Sequence, residues 1–223
     1  MEHTLTRPEA FTLTDALGTQ YRGADQEWFR DVWQRRAGCG PTAAAMILDY
    51  LAGSGPSLAP LAPAGDRSPE GFLPYMEAVW TCVTPGTRGL DRPENFVLGC
   101  RSFARSRGCV LDGRVLPTPR KGSRTRRPTL SEVRTFLNRC LDRDWPVAFL
   151  NYSNGDLKNL DSWHWVTLIA AAGEGQELSA VILDGGEEKT VDLALWLETS
   201  LLGGAFAVLF PDQGVYGEDP EQN

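Results

Sequence analysis

A chain of 223 residues with 42% apolar side chains and seven tryptophans can bury a sizeable core, which excludes a disordered protein. Its formal charge of −7 argues against a general nucleic-acid or anionic-membrane surface, and no apolar run is long enough to span a bilayer. Five widely spaced cysteines without a C-x-x-C pair, and only two histidines, point to reduced thiols and leave no imidazole set for a zinc site.

In chain order, residues 1–25 are polar, with a short helix or a surface arm over Glu9–Leu17 and a terminus at His3 expected to fray. Without a hydrophobic leader after Met1, the expected location is the cytoplasm. Trp28 to Trp33 reads as a packed approach to the central stretch, Gly38-Cys39-Gly40-Pro41-Thr42. Ala43, Met46, Ile47, Tyr50 and Leu51 then recur at helical spacing, so Thr42–Leu51 is a helix, with proline in its tolerated first turn. Residues 53–65, rich in Pro, Gly and Ser, form a loop. Helices follow from Ser68 or Pro69 and over Arg92–Arg105, then a strand over Cys109–Leu116.

Arg114 to Arg127 carries six cationic side chains among Pro, Gly and Ser and reads as a solvated loop, or else as a clamp for an acidic partner. Thr129 and Glu132 make a capping box in front of a helix. From Trp145 the texture turns to strands: 145–152, 163–170, 178–184 and 205–210, with Asp192 capping a helix over 193–202. The predicted plan is one α+β domain. A helical half occupies about 26–110, a basic loop 111–128, a helix and mostly antiparallel sheet 129–211, and an acidic tail 212–223.

The chemistry sits in three residues. Cys39 falls at a helix start, where free amides and the helix dipole favour a thiolate. A cysteine nucleophile needs a base, and His164 is the imidazole available for it. If strands 163–170 and 178–184 form a hairpin, Asp184 comes opposite His164 and can fix its tautomer. Taken singly, a cysteine at a helix start is often plain core, and an Asp before Gly185-Gly186 is often only a turn residue. The three together ask for more.

Gly38-Cys-Gly-Pro-Thr-Ala-Ala-Ala-Met46, His164-Trp-Val-Thr-Leu-Ile169 and Val181-Ile-Leu-Asp-Gly185 resemble the papain-like cysteine peptidases, the branch near bacteriocin-leader peptidases and phytochelatin-synthase-like proteins. The resemblance covers these motifs and the strand order of the C-terminal half, and leaves residues 53–128 unmatched. It implies a papain-like fold in which Cys39 is the nucleophile, His164 the general base and acid, and Asp184 the orienting residue. It also implies an oxyanion donor upstream of the cysteine. Gln34 is the candidate, at one residue short of the usual spacing, with Gln26 as a fallback. Gly38, Trp163 and Trp165 would border the substrate.

The implied activity is hydrolysis of a peptide or other amide bond through an acyl-thioester, with no metal or organic cofactor required and a peptide or small amide as partner. Two alternatives stay open: a non-catalytic binding domain of the same fold, and an acyl or peptidyl transferase on the same residues.

Overall fold

The structure is a computed structural model and describes residues 1–212. Three short strands open the chain, β1 (Glu2–Thr4), β2 (Thr12–Thr14) and β3 (Gln20–Arg22). Helices α1 (Val32–Ala37), α2 (Cys39–Ala52), α3 (Pro69–Trp80) and α4 (Pro93–Ser106) follow. Then come β4 (Leu111–Thr118), α5 (Leu130–Leu141), β5 (Val147–Asn151), β6 (His164–Ala172), β7 (Ser179–Asp184), β8 (Glu187–Asp192), α6 (Leu193–Thr199) and β9 (Gly204–Pro211).

The protein is α+β. Six strands lie in the order β4-β9-β5-β6-β7-β8, every pair antiparallel, and β1 pairs with the end of β6 beyond the reach of β5. α2 packs on β6 and α4 on β4 and β9, all within one contiguous apolar core. Consecutive small residues, Ala43-Ala44-Ala45, are fully buried and let α2 approach closely. Aromatic pairs tie the layers together: Trp165 of β6 stacks on Phe96 of α4 at 4.6 Å, and Phe149 stacks on Phe206 at 4.8 Å with Trp196 against its edge.

The capping box of α5 is present as read, with Thr129 and Glu132 bonding reciprocally. Four readings need correction. Glu9–Leu17 is no helix: Pro8–Phe11 makes a single 3-10 turn, and the chain then enters the β2–β3 hairpin. His3 does not fray, because β1 is zipped to β6 and the ring nitrogen lies 2.6 Å from Asp142. The basic loop is shorter than 111–128, since Leu111–Thr118 pairs with β9 along its whole length. α6 stops at Thr199, where Ser200 turns to extended backbone and its hydroxyl accepts the Gly203 amide. The acidic tail, from residue 213 on, lies outside the described residues.

The strand β8 is a finding of the structure. Glu187-Glu-Lys-Thr-Val-Asp192 carries little apolar pattern because it is the sheet's edge, where charged side chains face water and discourage further pairing.

Candidate active site

Cys39 is the first residue of α2, and two glycines set the path of the chain around it. A Cβ on Gly38 would stand 2.4 Å from the Gln34 carbonyl and 2.8 Å from the Phe29 ring; one on Gly40 would stand 2.8 Å from Leu90. These glycines therefore serve close packing of the α1–α2 junction, and Gly38 does not line the cavity in front of the thiol.

His164 opens β6 opposite Asn151 of β5. Asn151 is fully buried; its amide nitrogen donates to the Asp161 carbonyl at 2.6 Å, and its oxygen accepts the Trp196 indole N–H at 2.8 Å. Those bonds pin the segment that delivers His164. Between them and the histidine, Trp163 adopts φ +58°, a left-handed backbone that bulky residues seldom take. Its ring is turned outward, more than half exposed, against Tyr152.

Asp184 reaches His164 through a bulge. Near the turn, β6 and β7 pair as Ala172 with Ser179 and Ala170 with Val181; continued unchanged, that register would set Asp184 opposite Thr167. Side chains at 167 and 164 fall on opposite faces, so the two would never meet. One extra residue between Leu168 and Ala170 shifts the pairing to Thr167 with Leu183. Asp184 thereby comes opposite Val166 and diagonal to His164 on the same face. The Nε2 atom of His164 lies 2.6 Å from Asp184 Oδ1. The hairpin anticipated from the sequence exists, but the partners are diagonal rather than opposed.

A fourth side chain joins from β8. Gly185 and Gly186, at φ +61° and +77°, make the two-residue turn that sets Asp184 opposite Glu187. Lys189, two residues on, is diagonal to Asp184, and its ammonium donates to Asp184 Oδ2 at 2.9 Å. The carboxylate is thus held on both oxygens. Lys189 was invisible beforehand because β8 was, although a paired-glycine turn after a strand is itself a hairpin signal.

The electrostatics agree with this row. Burial alone would pull the His164 imidazolium down, but hydrogen bonds and charge from Asp184 and Cys39 outweigh it and hold the group up at about 10. Burial pushes Asp184 the other way from its two partners, and the hydrogen bonds from His164 and Lys189 win, leaving it at about 2. With Nε2 committed to Asp184, the ring nitrogen left for the Cys39 thiol is Nδ1. Among the other thiols, burial raises Cys100, Cys109 and Cys140.

Cys39, His164, Asp184 and Lys189 border one cavity of about 210 Å³. Gln26 lines it too, its amide nitrogen donating to the Arg35 carbonyl at 2.8 Å with one hydrogen and leaving the other free. Gln34 sits on α1 and does not line the cavity. Gln26 is brought there by the left-handed turn at Gly23 and by a hydrogen bond from the Ala24 amide to Met46 Sδ on α2. Trp165 borders the cavity but is mainly core, with its indole N–H on the Leu90 carbonyl; Trp163 does not border it.

Fold and site together define an α+β protein in which a thiol and an imidazole border one cavity and the imidazole is hydrogen-bonded to a carboxylate. No family model matches the chain, and no curated protein sequence matches it either. No helix among the described residues is long and apolar enough to cross a membrane.

Proposed function

We propose that the protein is a papain-like cysteine hydrolase that cleaves a peptide or other amide bond. The observation that carries this reading is that Cys39 and His164 border one cavity, with His164 Nε2 2.6 Å from the Asp184 carboxylate. An imidazolium that persists well above neutrality is the partner a thiolate needs.

In the proposed reaction the Cys39 thiolate attacks the amide carbonyl carbon and forms a carbon–sulfur bond. The oxyanion is held by the Cys39 backbone amide and by the free N–H of Gln26, which takes the place first given to Gln34. As the carbon–nitrogen bond breaks, His164 gives its proton to the departing amine. Water then attacks the thioester, His164 takes its proton, and the acid product leaves a regenerated cysteine. Asp184 keeps the ring oriented throughout, and Lys189 keeps Asp184 in place.

Of the cations behind the binding-domain alternative, Arg126 pairs with Glu132, and Arg127 is part-buried with one nitrogen on the Ser200 carbonyl. The test of the hydrolase reading is alkylation by iodoacetamide followed by peptide mapping. Cys39 should react before the other four thiols, and His164→Ala should erase that preference. Equal labelling of all five would overturn the proposal.

A further inference from the structure

The walls of the cavity hold more negative charge than the reaction uses. Asp25, Glu27 and Asp161 line it beside the row of reacting groups. Within the row the Asp184 carboxylate is already balanced by the Lys189 ammonium and the His164 ring. Glu27 lies 4.0 Å from Arg35, the outer limit of an ion pair, and the Lys189 ammonium that acts on Asp161 is already engaged by Asp184. A second, independent observation lies on the α2 wall. Thr42 lines the same cavity, is 4% exposed, and its buried hydroxyl has no partner. The Gln26 carbonyl oxygen, also on this wall, is buried without a donor. Unpartnered buried oxygens amid carboxylates ask for a ligand rich in N–H donors. The three carboxylates are not gathered as a metal-binding group, which leaves an organic cation.

Building on the hydrolase reading, we infer that the substrate carries an ammonium or guanidinium group beside the bond to be cut, received by Asp25, Glu27 and Asp161 with Thr42 and Gln26 completing its hydrogen bonds. Peptides with Lys, Arg or a free amino terminus next to the scissile amide belong to this class.

The test uses the intact protein and three thiol reagents of similar size: methanethiosulfonates bearing ethylammonium, ethylsulfonate or a neutral methyl group. Each rate at Cys39 is divided by the rate on a free small thiol. The ammonium reagent should react about tenfold faster than the sulfonate, since a charged, low-dielectric cleft concentrates its counter-ion to that order. The ratio should shrink in about 0.5 M salt, where the screening length falls to a few ångströms. It should also shrink in Asp161→Asn, an exposed position where loss of folding is not at issue, and further when Asp25→Asn and Glu27→Gln are added. Equal normalised rates, or a ratio indifferent to both salt and Asp161→Asn, would overturn the inference. If the neutral reagent singles out Cys39 while the charged pair do not differ, only the cation preference fails. If no reagent prefers Cys39, the hydrolase reading fails with it.

Discussion

Lys189 Nζ lies 2.9 Å from Asp184 Oδ2, the oxygen that His164 leaves open. The lysine comes from an edge strand and touches neither thiol nor imidazole directly, so it acts by holding the carboxylate. Replacing it by methionine should release that oxygen. Asp184 would then rise from about 2, because one of the bonds that depress it is gone, and the acid limb of activity should move to higher pH. His164 should move up as well, since its carboxylate partner no longer shares charge with an ammonium. Activity falling at all pH values alike, with both groups unmoved, would mean a purely structural role. NMR titration of the two histidines and of Asp184 reads both shifts.

Gln26 and Gln34 separate cleanly. Gln26→Ala should lower kcat by about a hundredfold, the usual cost of removing one oxyanion donor. Gln34→Ala, outside the cavity, should stay within about threefold of the parent on the same scale. Steady-state kinetics on a fluorogenic peptide amide decides between them.

The imidazolium gives a pH signature. His164 stands at about 10 rather than 6.5, so protonation of the leaving amine should persist to alkaline pH and fail near 10. Cys39→Ala removes one of the interactions that hold the proton, and His164 should then titrate lower. With only two histidines in the chain, the ring C–H resonances report this directly.

Stability follows the same shifts. The folded protein keeps the His164 proton where an unfolded chain, at 6.5, has released it; the stabilisation is complete below 6.5 and disappears as pH climbs toward 10. Asp184 works in reverse, fully stabilising above 3.8 and lost as pH drops toward 2. Thermal melts of the parent and His164→Gln should therefore diverge below pH 6.5 and converge above 10.

Two neighbouring tryptophans should behave differently. Trp165 is buried, stacked and hydrogen-bonded, so Trp165→Ala should cost about 3–5 kcal/mol in denaturant unfolding. Trp163 is exposed and held at φ +58°, where asparagine is better tolerated, so Trp163→Asn should change stability by about 1 kcal/mol or less.

How much of this was legible beforehand depends on which force wrote each element. α2, α5 and the four apolar strands declare themselves through burial, because a periodic apolar face is visible in one dimension. β8 does not, since an edge strand is selected for charge, and Lys189 was hidden with it. Cys39, His164 and Asp184 were readable as residue types with partners to satisfy. The choice between Gln34 and Gln26 was not. It turns on Gly23 and on a hydrogen bond to Met46, a contact between segments that spacing along the chain does not encode. The diagonal placement of His164 and Asp184 was equally unreadable, because no residue type marks the bulge that produces it.

That bulge has a consequence for how such a protein is disabled. Ile169 is the extra residue, so removing it would let β6 and β7 pair without a break while Asp184 stayed opposite Val166. Removing a residue between His164 and Leu168, with the bulge in place, would instead turn His164 to the face away from Asp184 and leave an amide uncut. In this hairpin, counting residues matters more to the reaction than choosing them.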